Sequence, residues 1–193
     1  MYGMVNQAIS GLIVEQHGEA VWQAVAERAG IGHTDFRELD NYDDEVTHAL
    51  VASASELLGA SAEDLLFEFG KYWVLYTGSH LWSYLFDLAG NDFLTFLDGL
   101  DDLHDRVQTM MPESRMPQFT TVAADDHVVL EYRSDRDGLA PMVMGLLVGL
   151  QDRFGESWDI EQTGHAAVDG FDSFTMRRMH VASGERSHGA RAA

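Results

Sequence analysis

One histidine in this sequence stands where it could bind a metal. Residues 91–111 are expected to form one helix, because apolar side chains recur there at helical spacing. That apolar stripe consists of Phe93, Leu97, Leu100, Val107 and Met111. His104 falls on the same stripe, and a neutral imidazole facing an apolar cavity is suited to metal binding. Helix spacing alone favours a packed, hydrogen-bonded core residue, which is the commoner role of an isolated histidine on an apolar face.

A set of polar side chains follows at the end of a predicted strand. Residues 127–134 are expected to be extended, and Tyr132, Ser134 and Arg136 are spaced by two, so they would share one face. Arginine binds a carboxylate through two parallel hydrogen bonds, and hydroxyl groups add further donors. The face is therefore suited to holding carboxylates, although an exposed polar strand face is the simpler interpretation of so short a pattern.

The inward histidine and the carboxylate-binding face support each other. Haem requires an axial ligand such as histidine, and its two propionates require polar partners. Bulky apolar residues are abundant, since 46% of the 193 residues are hydrophobic and 10% are aromatic. The two features together predict a buried macrocycle.

The elements that would position these residues change in kind after Pro112. Before it the patterns predict only helices, and after it they predict strands at 119–123, 127–134, 158–163 and 171–181 with a helix at 138–154. Gly145 and Gly149 in that helix are expected to allow close helix packing. The fold class is therefore predicted to be α+β, with an N-terminal helical lobe, a C-terminal lobe of antiparallel sheet plus helices, and haem buried between them.

The domain organisation is predicted to be simple. Residues 1–182 are expected to form a single domain, with a helical lobe at about 1–65, the haem-ligating helix at 91–111 and the sheet-containing lobe at about 112–182. The small polar residues 183–193 are expected to be a disordered tail.

Composition excludes several classes of function. The formal net charge is −20, from 32 acidic and 12 basic side chains, so nucleic acid and anionic membranes are not expected as partners. Such a surface is either a solvated acidic exterior, which is the simpler interpretation, or a match for a basic partner protein. The chain has no cysteine, which excludes disulfides and thiolate ligands, and it shows no signal peptide or membrane-span pattern, so a cytoplasmic location is expected.

Several motifs in order along the chain carry a family resemblance. They are MYGMVNQA at 1–8, LDDLHD at 100–105, RMPQF at 115–119, the segment 132–139 and GLL at 145–147. The sequence resembles the haem nitric oxide/oxygen binding (H-NOX) family, especially the sensor domain of the soluble guanylate cyclase β subunit and its stand-alone bacterial relatives.

The resemblance implies a role for each matching residue. His104 would be the proximal ligand of a ferrous haem b. Tyr132, Ser134 and Arg136 would hold the propionates, and Pro117 would press the haem edge and distort the ring. Apolar haem contacts would come from Phe93, Leu97 and Leu100 on the proximal side, from Val5, Ile9, Trp73 and Met142 on the distal side, and from Met1.

The same resemblance implies which gas is sensed and how. Oxygen-binding members use a distal tyrosine, but 139–150 contains none, and Pro141 or Met142 occupies the matching place. Nitric oxide and carbon monoxide are therefore the expected ligands and oxygen is expected to be excluded, although the indole N–H of Trp73 would be a donor if it pointed at the ligand.

Signalling would proceed by weakening or breaking the iron–His104 bond. The effector is expected to be a separate protein, such as a histidine kinase or a cyclic-nucleotide enzyme. Asp43 is expected to pair with Arg136 and so couple the two lobes.

Two other classes of function remain open from the sequence. A haem enzyme acting on peroxide or nitric oxide would need a distal histidine or arginine, and neither His80 nor Arg115 is on a predicted distal segment. A haem-free ligand-binding scaffold is the second alternative.

Overall fold

The computed structural model describes residues 1–32, 34–79 and 82–179. His80 and the predicted tail at 183–193 lie outside these ranges. Within them, no helix combines the length and the apolar character needed to cross a membrane.

Helices make up the first part of the chain and surround a sheet in the second. The helices are α1 (Gly3–His17), α2 (Glu19–Arg28), α3 (Asp44–Leu58), α4 (Ala62–Ser79), α5 (Ser83–Ala89), α6 (Phe93–Asp98), α7 (Leu100–Met110), α8 (Ala140–Phe154) and α9 (Ala166–Asp169). The strands are β1 (Gln118–Ala123), β2 (Val128–Arg133), β3 (Trp158–Gly164) and β4 (Asp172–Arg178). The predicted α+β class is confirmed.

The helical lobe is built by α1 to α4 around its own apolar core. Gly18 ends α1 and Gly59 ends α3, both with positive φ, which glycine adopts without a steric penalty. The core contains Leu12, Trp22 and Leu50, all buried. Helical periodicity predicted these elements, because each helix buries one stripe and exposes the other.

The second lobe is a four-stranded antiparallel sheet in the order β1-β2-β4-β3. Along β2, Val128, Leu130 and Tyr132 are buried in alternation with less buried neighbours, so one face of the sheet forms the core. Phe174 of β4 and Leu147 of α8 complete that core.

Helices α4 and α8 join the two lobes through glycines at their contact. A Cβ on Gly145 would collide with the carbonyl oxygen of Phe67, and one on Gly70 would collide with that of Met142. The predicted close packing of the Gly145 segment is confirmed. Since α4 places Phe69 in the helical core and Val74 in the sheet core, the lobes are linked by one continuous helix rather than divided near residue 65.

The helix predicted over 91–111 is divided in the structure. Asp92 and Thr95 form a capping box that starts α6, and the helix ends at Gly99 before α7 begins at Leu100. A Cβ on Gly99 would collide with the carbonyl oxygen of Ala89, so only glycine allows this close approach to the end of α5. His104 is therefore carried by a short helix of its own.

The glycine contact between α4 and α8 predicts a stability change. Gly145→Ala should lower the free energy of unfolding by about 1–2 kcal/mol, because overpacking outweighs the higher helix propensity of alanine. Urea unfolding of the purified protein measures the change. Gly32→Ala is the matched control, since a Cβ there meets nothing within 4 Å. Equal stabilities of the two variants would contradict the proposed close contact.

Candidate functional site

An apolar cavity of about 290 Å³ lies between the two lobes. Its walls come from α1, α3 and α4 on one side and from α6, α7, β1, β2 and α8 on the other. This first cavity is called the inner cavity. A second cavity of about 630 Å³, the outer cavity, adjoins it, and both are lined by His104, Arg136 and Met1. The predicted ligand and the predicted carboxylate-binding residue thus meet at one place.

His104 is held as a neutral ring with one nitrogen committed. Its Nδ1 lies 2.8 Å from the carbonyl oxygen of Leu100, so Nδ1–H donates there and Nε2 keeps its lone pair for a metal. Burial lowers the pKa of His104 below its ordinary value, against the opposing effects of that hydrogen bond and of Asp101 and Asp105. The imidazole is therefore uncharged at neutral pH, as metal ligation requires.

The aromatic ring of Phe119 covers one face of the His104 imidazole. Phe119 of β1 stacks on the imidazole with ring centroids 5.2 Å apart and planes 19° apart. The backbone N–H of Phe119 also donates to Asp101 Oδ1 at 2.8 Å, which ties β1 to α7.

The three residues of the predicted carboxylate-binding face all line the cavity. The hydroxyls of Tyr132 and Ser134 are hydrogen-bonded, and burial of Tyr132 raises the pKa of its phenol, which therefore stays protonated. Ser134 Oγ accepts from the backbone N–H of Arg136 at 3.1 Å, which holds the turn after β2. These contacts bring two hydroxyls and one guanidinium to the same rim.

The prediction that Asp43 pairs with Arg136 is wrong, because Asp44 is the partner. Asp44 Oδ2 accepts from Arg136 Nε at 3.2 Å and from Arg115 Nη2 at 2.5 Å, and its Oδ1 accepts from the amino group of Met1 at 2.8 Å. Asp43 lies immediately before α3 and is exposed, whereas Asp44, one residue later, faces the other lobe. The lobes are therefore linked through Asp44, one position after the predicted Asp43.

Arg115 lies at the rim, where it lines the outer cavity and binds Asp44. It does not belong to the described lining of the inner cavity, so it is not placed as a distal acid or base.

Most of the predicted apolar contact residues line the inner cavity. They are Met1, Val5, Ile9, Trp73, Leu97, Leu100, Pro117 and Met142. Phe93 is not among them: it is fully buried in the sheet core, where its ring stacks on Trp158 with centroids 5.1 Å apart, and its role as a haem contact stays a prediction. Phe96, three residues later on α6, lines the cavity.

Sequence reasoning missed several lining residues, namely Thr47, Phe69, Phe96, Phe119 and Leu130. Apart from Thr47 they are apolar and resemble ordinary core in a sequence, so only the assembled fold shows that they border a cavity. Phe119 is the last residue of the motif at 115–119, but the family resemblance gave a role there only to Pro117.

The residues present fit a haem. The inner cavity is mainly apolar, a neutral histidine offers Nε2 at its wall, and hydroxyls with a guanidinium stand at its rim for propionates. Among the described residues, no cluster of three or more histidine, aspartate or glutamate side chains offers a site for a bare metal ion.

The Asp44 network predicts a pH-dependent contribution to stability. The hydrogen bond from the Met1 amino group, together with Arg136, lowers the pKa of Asp44 from 3.8 to about 2. The stabilisation is therefore fully present above pH 3.8 and is lost as the pH falls through about 2. Asp44→Asn should cost about 1–2 kcal/mol at pH 7, with a gap to the wild type that narrows between pH 4 and pH 2.

Urea unfolding across this pH range measures that gap. Asp43→Asn is the control, since Asp43 is exposed and adjacent. A gap that stays constant with pH would contradict the role of Asp44.

Comparisons with known proteins agree with this site. Residues 2–162 match the family model described as Haem-NO-binding. The chain is similar to soluble guanylate cyclase gcy-35 of Caenorhabditis elegans (24% identical, over 93% of this chain and 27% of that protein) and to soluble guanylate cyclase 89Db of Drosophila melanogaster (24%, over 80% and 23%). The chain thus spans about a quarter of the length of these curated relatives.

The fold also matches a solved structure. An H-NOX protein from S. oneidensis, described in the Fe(II)NO ligation state, superimposes with a TM-score of 0.84 at 19% identity, covering 93% of this chain and all of that one. The sequence match spans most of the chain, and the cavity presents a neutral histidine beside a carboxylate-binding rim. This chain therefore belongs to the Haem-NO-binding family, whose H-NOX domains bind haem and sense gases.

Proposed function

We propose that this domain is a ferrous-haem sensor that binds nitric oxide and carbon monoxide, excludes oxygen and regulates a separate effector protein. The observation that carries the proposal is the state of His104, a neutral ring with Nδ1 committed to Leu100 and Nε2 available at an apolar cavity. The related S. oneidensis protein, described in an Fe(II)NO state, supports the same ligand and oxidation state here.

The chain's own residues would hold haem b at two sides. Nε2 of His104 would bind the iron, and Tyr132, Ser134 and Arg136 would hold the propionates. Pro117 would contact the haem edge, since it lines the same cavity. When bound, the ferrous haem supplies the open coordination position at which a diatomic gas binds.

Exclusion of oxygen is supported by the apolar side chains that the described part of the helical wall presents to the inner cavity. A bound oxygen molecule is polar and is stabilised by a hydrogen bond, whereas nitric oxide binds ferrous iron tightly without one. Val5, Ile9 and Met142 on this side are apolar. Thr47 is polar, but its hydroxyl donates to Asn6 Oδ1 at 2.7 Å, so its proton is committed away from a ligand.

Signalling would use the short helix that carries His104. α7 packs Leu100 and Leu103 against the sheet core and carries His104 at the cavity wall. An iron–His104 bond would tie this helix directly to the haem. When nitric oxide weakens or breaks that bond, α7 would shift and change the surface that the effector reads.

The effector is proposed to be a protein with a basic docking surface. The net charge of −20 would attract such a surface and repel nucleic acid. A cyclic-nucleotide enzyme or a histidine kinase would fit this role, and the matched relatives named as soluble guanylate cyclases support the first of them. A cytoplasmic location stays a prediction.

Substitution of the ligand tests the proposal. His104→Gly should abolish the absorption spectrum of histidine-bound haem, and imidazole added in solution should restore it, because imidazole replaces the missing ring. The haem absorption spectrum of the purified ferrous protein is the measurement. His165→Gly is the control, since His165 is exposed just after the end of β3, lines neither cavity and should change nothing. An unaltered spectrum in His104→Gly would remove His104 from its role.

A further inference from the structure

The ring of Phe119 contacts both the proposed iron ligand, His104, and one of the proposed propionate-binding residues, Tyr132. It stacks on His104 at 5.2 Å with planes 19° apart, and it packs on Tyr132 at 5.3 Å with planes 46° apart. Phe119 and Tyr132 are paired across β1 and β2, so the sheet register itself places them on one face. Phe119 is buried and lines the inner cavity.

The backbone of Phe119 is as constrained as its ring. The strand pairing with β2 holds it on one side, and its N–H donates to Asp101 Oδ1 on α7, one turn before His104. The strand at Phe119 therefore cannot shift relative to α7 without breaking a hydrogen bond of 2.8 Å between charged and neutral partners, and burial confines the ring itself. Phe119 is a fixed surface against which the imidazole rests.

The hydrogen bond to Leu100 does not orient His104 by itself. One N–H···O contact still allows the ring to tilt, because hydrogen-bond lengths and angles each vary over a range. A flat apolar surface along one face of the imidazole narrows that tilt, because aromatic rings that stack favour one arrangement by roughly two- to tenfold over unstacked ones. The two contacts together define the direction of Nε2.

We infer that Phe119 is a positioning residue that sets the ring plane of His104 and couples it to the Tyr132 side of the site. The inference rests on the proposed function, since it assigns Phe119 a role toward a haem bound through His104. Loss of the ring would let the imidazole adopt several orientations toward the iron. The iron–histidine bond would then be heterogeneous although His104 itself is intact.

The test compares three proteins purified with haem. Phe119→Leu removes the ring and keeps apolar bulk. Phe174→Leu is the matched control, because Phe174 is also a buried phenylalanine of the same sheet core but does not line the inner cavity. The measurement is the iron–histidine stretching band in the resonance Raman spectrum of the ferrous protein, with urea unfolding as a check on stability.

The expected result is a shifted and broadened band in Phe119→Leu and an unchanged band in Phe174→Leu, even where both variants lose similar stability. Phe119→Tyr, which keeps the ring, should keep the wild-type band. An unchanged band in Phe119→Leu would overturn the inference and leave the proposed function standing. Absence of the band in the wild-type protein would instead overturn the proposed function and the inference with it. If Phe119→Leu does not fold, Phe119→Met takes its place under the same criterion.

Discussion

The proposed site depends on one uncharged imidazole, that of His104, which lies at the cavity between the two lobes. Burial lowers the pKa of His104, and the Leu100 carbonyl takes the Nδ1 proton, so one nitrogen is left with a lone pair in an apolar setting. A protonated imidazole has no lone pair with which to bind iron. Without the hydrogen bond to Leu100, His104 would be an ordinary packed core residue. The two lobes provide the apolar walls and the polar rim around that ring, and α7 carries it.

The lobes meet at two contacts of different strength. The glycine contact between α4 and α8 is close and apolar, which makes a rigid support behind the cavity. The Asp44 network with Arg136 and Arg115 lies at the rim and is polar and partly exposed. The helix that carries His104, α7, lies against both the sheet and this rim: Leu100 and Leu103 pack on the sheet core, and Asp101 accepts a hydrogen bond from Phe119 of β1.

Sequence reasoning recovered the fold class and the family, and the polar residues it proposed for the site all line one cavity. The H-NOX resemblance is confirmed, and because H-NOX domains are sensor domains, the prediction of a sensor domain is confirmed with it. The helix over 91–111 was predicted as unbroken, because the contact between Gly99 and Ala89 at its division is tertiary. Asp43 was predicted instead of Asp44 because the sequence does not show which of two adjacent carboxylates faces Arg136. Phe119 looked like ordinary core, since stacking on His104 depends on sheet register.

The absorption spectrum of the purified wild-type protein tests the central claim most directly. The account predicts a haem Soret band in the ferrous protein that shifts on addition of nitric oxide and stays in place when the sample is exposed to air. A stable oxygen complex would contradict the proposed selectivity. No bound haem after expression with added haem would contradict the account as a whole.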